Sequence, residues 1–303
     1  SSMYLQVFLL IIAVAILYWG AEFTLESGEK IGRYFGLSPL VIGLLIVGFG
    51  TSLPEFFVSQ VACLRGETPI ALGNIVGSNI ANIGLILGAS ALVLPLSASP
   101  GFWRVQGPAF VGSAVVGALV AWDGVVGRTE GAALLLLAGA WIAVALRGGQ
   151  PGRGEPAVGT SASGDRGPGV ALAQIALGSV ALALGAHAFV GGAVVVAGGL
   201  GIDSRVVGLT AVALGTSLPE LVTSLSAARR GEGDVVLGNV LGSNILNVLL
   251  ILGVTALVEP LRMLPPRIDL ASMVLATVVV AAALIAGRRL RLAEGLAGLG
   301  SYA

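Results

Sequence analysis

Two stretches of this chain are one sequence written twice. Residues 43 to 88 and 208 to 253, offset by 165, agree at 26 of 46 positions without a gap. The shared core is Gly50-Thr51-Ser52-Leu53-Pro54-Glu55 with Gly215-Thr216-Ser217-Leu218-Pro219-Glu220. It continues through Gly73-Asn74 and Gly77-Ser78-Asn79-Ile80, matched by Gly238-Asn239 and Gly242-Ser243-Asn244-Ile245, to Asn82 and Asn247. A common apolar composition would align Leu, Ala and Val, but not Pro, Glu and paired Asn. The chain is therefore built from a duplicated unit, and any fold must accommodate both copies.

The units are apolar blocks long enough to cross a bilayer, for which about 20 residues suffice. Nine full blocks run roughly over 3 to 25, 37 to 64, 69 to 94, 102 to 122, 129 to 146, 170 to 197, 203 to 228, 234 to 258 and 267 to 287. A tenth begins near Leu292 and stops at Ala303, so it reads as truncated or continued beyond this sequence. Their uniform apolarity, without strand-like alternation, predicts helices rather than a barrel. Charged residues make up 11% of the chain, against about 25% in a soluble domain. The fold class is an all-α membrane protein of ten transmembrane helices.

Residues 1–146 read as the first five-helix repeat, 147–169 as a Gly, Pro and Ser-rich flexible linker, and 170–303 as the second repeat. Five crossings is an odd number, so the second copy enters the membrane upside down. Inverted repeats of this kind place a binding site near the midplane where the halves meet. The first block reads as a retained helix rather than a signal peptide, since no basic residue precedes it. Placing the N-terminus outside puts 11 of the 16 Lys and Arg on the inner side: Lys30, Arg33, Arg104, Arg147, Arg153, Arg166, Arg229, Arg230, Arg288, Arg289 and Arg291.

Zero net charge and no basic patch exclude nucleic acid as a partner. Cys63 is alone, so it forms no internal disulfide and reads as a small apolar residue. Glu26, Glu29 and Lys30 read as solvated interface charges. His187 aligns with Glu22 under the repeat offset, and reads as a polar residue at a helix interface.

Glu55 and Glu220 lie deep in apolar segments, where a carboxylate costs about 2.5 to 3.5 kcal/mol even on insertion scales. No Lys or Arg occupies the middle of a span. The compensator is a proton or a bound cation. Residues four apart share a helix face, which sets Thr51 beside Glu55, Thr216 beside Glu220, Ser78 beside Asn82 and Ser243 beside Asn247. Pro54 and Pro219 lack an amide hydrogen and crowd the carbonyls of Gly50 and Gly215, freeing them as oxygen ligands. Oxygen donors without His or Cys suit Na⁺, Ca²⁺ or Mg²⁺, and two carboxylates suit Ca²⁺ better than the reluctantly dehydrated Mg²⁺. Gly48, Gly50, Gly73, Gly77, Gly215, Gly238 and Gly242 are expected to let helices pack closely.

The doubled Gly-Thr-Ser-Leu-Pro-Glu and Gly-Asn-x-x-Gly-Ser-Asn-Ile-x-Asn motifs resemble the α-repeats of the sodium/calcium exchanger family, within the cation/calcium antiporter superfamily. The resemblance implies an antiporter of Na⁺ and Ca²⁺ as transported ions, with no organic cofactor and no enzymatic activity. It implies Glu55 and Glu220 as shared ion ligands, joined by Thr51, Ser52, Thr216, Ser217, Ser78, Ser243, Asn82 and Asn247. It also implies that the first and sixth helices are a long tilted pair that slides against the core. Potassium-dependent relatives carry an aspartate at one late repeat position, whereas Asn82 and Asn247 are both neutral. Proton-coupled calcium exchangers share the fold and are the nearest alternative. An ion channel is a further one, disfavoured by broken helices in inverted pairs. An intramembrane hydrolase needs a nucleophile and base that this chain lacks as a motif. The resemblance further implies a prokaryotic cell membrane as the location.

Overall fold

The computed structural model describes residues 3–98, 102–148, 168–199, 204–262 and 267–286. Ten helical elements cover them: α1 (Met3–Phe35), α2 (Pro39–Thr51), α3 (Leu53–Leu64), α4 (Thr68–Val93), α5 (Phe102–Ala121), α6 (Arg128–Gly148), α7 (Pro168–Gly199), α8 (Ser204–Arg229), α9 (Gly233–Val258) and α10 (Arg267–Ile285). Six of these, together with the bent pair α2 and α3, are long and apolar enough to cross a bilayer. With α5 and α8 they make nine crossings among the described residues. The expectation of a short tenth helix concerns residues outside this set, as do the central residues of the linker.

The first helix outruns its apolar block and extends through the charged stretch to Phe35. In that stretch Glu26 stands four residues before Lys30, the favourable order for opposite charges on one helix face. The helix stops at Gly36, whose φ of +64° only glycine adopts freely, while the Leu37 amide donates to the Gly32 carbonyl at 2.8 Å. Ser38 then caps α2, accepting from the Val41 amide at 3.4 Å with Pro39 in the first turn. The twin Arg-Gly-Glu turns of the two repeats close alike. Gly66 and Gly231 have φ of +76° and +78°, and the amides of Glu67 and Glu232 return to the carbonyls of Ala62 and Ala227.

Helices α4 and α9, equivalent in the two repeats, run antiparallel. The α9 start at Gly233 lies against Leu94 and Leu96 at the end of α4. The α4 start is tied to the end of α9, with Thr68 Oγ1 donating to the Arg262 carbonyl at 2.7 Å. A two-residue strand, β1 (Val125–Val126), pairs antiparallel with β2 (Leu261–Arg262), so the α5–α6 and α9–α10 turns share one end of the bundle. The repeats are thus inverted. Below, the linker end is the one that carries Gly148 and Pro168.

Helices α1 and α7, 33 and 32 residues long, pack along each other. At 1.5 Å per residue each is about 50 Å long, well beyond the ~30 Å hydrocarbon layer. Their backbones come close at Gly20, where a methyl group would sit 3.1 Å from the Leu182 amide nitrogen. The helices α4 and α9 occupy the centre, with 72% and 83% of their apolar windows buried.

The two copies do not have one shape. The first contains a π-helical stretch, Ile42–Val47, and then breaks at Ser52, with a 43° bend between α2 and α3. In the second, α8 is uninterrupted and Pro219 lies inside it. The expectation that both prolines break their helices is corrected: only the first copy is broken. At the linker end α2 packs tightly on α9, where a methyl group at Gly43 would meet the Val235 carbonyl oxygen at 2.6 Å and Gly238 Cα at 2.9 Å. The mirrored seat for α8 on α4 is loose. Gly73 is exposed and Gly77 half-exposed, with nothing among the described residues within 4 Å of an added methyl. The prediction of close packing therefore holds for Gly48, Gly50, Gly238 and Gly242; at Gly73 and Gly77 no described residue packs close. Among the described residues the close helix seat is thus the one at the linker end.

Candidate functional site

Glu55 opens α3 just after the break at Ser52, and Glu220 sits in the middle of α8. Both are buried, at 1% and 0% exposure. Each carboxylate receives a hydroxyl from the opposite repeat. Ser52 Oγ donates to Glu220 Oε1 at 3.0 Å, and Ser217 Oγ donates to Glu55 Oε1 at 3.4 Å. The face-sharing argument had placed each threonine beside its own glutamate. Instead Thr51 Oγ1 donates to Asn239 Oδ1 at 3.1 Å, and Thr216 Oγ1 to Asn74 Oδ1 at 3.2 Å. In the first repeat the helix break between Thr51 and Glu55 removes the shared face.

Asn74 and Asn239 were legible as repeated residues but not as parts of the site. Each is a brace. Asn74 Nδ2 donates to the Glu55 carbonyl at 3.1 Å and to Ser59 Oγ at 3.0 Å. Asn239 Nδ2 does the same to the Glu220 carbonyl at 3.4 Å and Ser224 Oγ at 2.9 Å. An amide has both donors and an acceptor, so one side chain anchors its own glutamate's backbone and still reaches the other repeat's threonine. The second signal available in the sequence was their duplication.

Asn82 and Asn247 each begin a π-helical stretch, Asn82–Ile86 and Asn247–Ile251. Such single-turn π segments gather at functional sites, where the extra residue re-aims a side chain. Asn82 Nδ2 donates to Asn244 Oδ1 at 2.9 Å, and Asn247 Nδ2 to Asn79 Oδ1 at 3.3 Å. Asn79 and Asn244 are again duplicated residues absent from the candidate set. Ser243 Oγ donates to the Gly48 carbonyl at 3.3 Å, and Ser78 is buried one turn before Asn82. Gly50 is buried with Ser179 of α7 against it, where a methyl would meet Ser179 Oγ at 2.8 Å, and Gly215 is half-buried. Hydrogen bonds thus join Glu55, Glu220, Ser52, Ser217, Thr51 and Thr216 across the repeats, and Asn82 and Asn247 are paired with asparagines of the opposite repeat.

The acceptors left over are informative. Of the buried side-chain oxygens without a hydrogen-bond partner, which also include those of Ser90, Ser179, Thr223 and Glu232, four belong to candidate ligands: Glu55 Oε2, Glu220 Oε2, Asn82 Oδ1 and Asn247 Oδ1. All four are oxygens, two from each repeat and placed at equivalent positions. A buried polar atom left unsatisfied costs ~1 to 3 kcal/mol, more when charged. No basic side chain among the described residues pairs with either glutamate. Four inward oxygens with two formal negative charges match the donor set of a hard cation. His187 is exposed on α7 and takes no part in the network.

An inverted-repeat membrane bundle with an anionic, oxygen-lined centre defines an ion-handling integral membrane protein. The family model described as sodium/calcium exchanger protein matches residues 5–147 and 170–303, and the chain belongs to that family. It is 35% identical over 267 residues to inner membrane protein YrbG of Escherichia coli strain K12, covering 85% of this chain and 81% of that one. It is 32% identical over 290 residues to sodium/calcium exchanger MaX1 of Methanosarcina acetivorans, covering 84% and 83%. Among solved structures, the sodium-calcium exchanger NCX_Mj soaked with Na⁺ matches with a TM-score of 0.85 and 31% identity, over 99% of this chain and 97% of that one.

Proposed function

We propose that this chain exchanges Na⁺ for Ca²⁺ across a membrane by alternating access, with overlapping ion sites between its two repeats. The observation that carries this reading is the buried pair Glu55 and Glu220, with four unpartnered oxygens and no basic neighbour. Names borne by relatives, an exchanger in Methanosarcina and NCX_Mj, support the same ions. The ligands are Glu55 and Glu220, with Thr51, Ser52, Thr216, Ser217, Ser78, Ser243, Asn82, Asn247 and the carbonyls of Gly50 and Gly215 as further oxygens. Na⁺ and Ca²⁺ compete because both draw on the two carboxylates. Without a cation the centre holds two anions in low dielectric, which disfavours movement of the unloaded carrier and so couples the fluxes.

The halves 1–146 and 170–303 act as the two moving units, joined by 147–169. The N-terminus lies outside and the linker end inside, since Lys30, Arg33, Arg147, Arg229 and Arg230 cluster at that end. A prokaryotic cell membrane is the location, in keeping with the name of the Escherichia coli relative.

The test is Ca²⁺ uptake into proteoliposomes under imposed Na⁺, K⁺ and H⁺ gradients in turn. Uptake driven by an outward Na⁺ gradient and indifferent to K⁺ is expected. Uptake driven by H⁺ alone would replace this reading with proton-coupled exchange. A second expectation concerns charge. Asn247→Asp adds a third carboxylate beside the pair, and should tighten Ca²⁺ binding about tenfold, or make it pH dependent, in an ion titration. Titrations identical to the parent's would contradict the placing of Asn247 in the ion shell.

A further inference from the structure

Outside the ion site, one group of charges is held as firmly as the site itself. Arg230, in the α8–α9 turn at the linker end, pairs through Nη2 with Glu22 of α1. It also lies 3.7 Å from Glu26, 3.6 Å from Glu29 and 4.0 Å from Glu232 of its own turn. Glu22, Glu26 and Glu29 are spaced four and three apart, so they form one face of α1. The guanidinium is 24% exposed and Glu22 19%, more sheltered than an ordinary surface pair. Glu29 is therefore a paired charge, correcting its reading as a solvated one.

The repeat offset supplies the comparison. The residues matching Arg230 and Glu232 are Arg65 and Glu67, and both are exposed. Those matching Glu22, Glu26 and Glu29 are His187, Gly191 and Val194, none of them a carboxylate. The same turn thus has a partner at one end of the molecule and no acidic partner helix at the other. That end is also the one where α2 is seated on α9, while at Gly73 and Gly77 no described residue comes within 4 Å of an added methyl.

We propose that Arg230 and the glutamates of α1 form an ionic latch that holds the linker end shut and biases the carrier toward opening at the opposite end. The proposal rests on the alternating-access reading above, but not on which ions are carried. Both copies of the duplicated core have the sequence for either arrangement, so a contact present in one copy alone shifts the balance between two otherwise similar states. Being ionic, the latch weakens with salt.

The test reads access at each end by maleimide labelling in detergent, in a Cys63→Ser background. Thr223, buried on α8 between Glu220 and the linker end, becomes one reporter as Thr223→Cys. Its repeat equivalent Val58, between Glu55 and the other end, becomes the second as Val58→Cys. Arg230→Gln is expected to speed labelling at the Thr223 position about tenfold, without speeding it at the Val58 position. High salt should produce the same change in the parent and none further in the variant. Unchanged rates at both positions, or rates that rise together as in general loosening, would overturn the latch. Should Arg230→Gln fail to yield monodisperse protein, Glu22→Gln is read by the same two reporters and criteria. Labelling requires no transport, so a failure here is separable from a failure of the Na⁺ and Ca²⁺ assignment.

Discussion

Glu220→Gln is expected to lose Na⁺-driven Ca²⁺ uptake by at least about a hundredfold while remaining folded, and Glu55→Gln likewise. Each carboxylate supplies one of the two negative charges that balance a divalent ion, and an amide of equal size supplies none. A hundredfold loss corresponds to about 2.8 kcal/mol of ion binding, a modest figure for a charged ligand removed from a buried site. Folding should survive because the substitution removes a buried charge instead of creating one. The glutamine can still accept the serine hydroxyl that reaches across from the other repeat, at 3.0 Å for Glu220 and 3.4 Å for Glu55. Thermal denaturation separates the two effects. The Ca²⁺-free variant should melt no lower than the parent, while the rise in Tm that Ca²⁺ gives the parent should disappear. Full exchange in either variant would remove the carboxylate pair from the mechanism.

The second large effect is expected at two glycines that are not themselves ion ligands. Gly238 and Gly73 are repeat equivalents, yet only Gly238 is buried under the opposing helix, where a methyl would sit 2.5 Å from the Leu40 carbonyl oxygen and 2.8 Å from Gly43 Cα. Gly238→Val forces these backbones apart and should cost roughly 1 to 3 kcal/mol of stability in the arrangement described here. Gly73 is exposed, with no described residue within 4 Å of an added methyl, so Gly73→Val should leave stability unchanged. It should nevertheless stop exchange, since closing the opposite end requires α8 to seat on α4 as α2 seats on α9. A Gly73→Val protein with parental Tm and less than about a tenth of parental flux is the expected result. Parental flux would show that the second seat is never used.

Much of the architecture was legible before any coordinates. Apolar block length gave the crossings to within a few residues, except at α1, whose charged extension to Phe35 is invisible to hydropathy. The offset of 165 gave the paired glutamates and the paired asparagines. What it misjudged were partners. Helical spacing joined Thr51 to Glu55 and Thr216 to Glu220, whereas the bonds run between repeats, over 168 residues from Ser52 to Glu220 and 162 from Ser217 to Glu55. Spacing arguments see one helix at a time. The bracing role of Asn74 and Asn239 escaped for the same reason, because each amide's partners lie on two other helices, one from each repeat.

Sequence by itself determined the membrane environment, the duplication, the inversion that five crossings impose, and the burial of one acid per copy. These follow from chain length against bilayer thickness and from the cost of charge in hydrocarbon, neither of which depends on how helices meet. Only the tertiary structure decided that one copy is broken at Ser52 and seated on its neighbour while the other runs straight through Pro219, and that Arg230 is engaged while Arg65 is exposed. Similar sequences have similar local preferences, so the choice between two shapes comes from long-range packing and charge pairing, which differ between the copies.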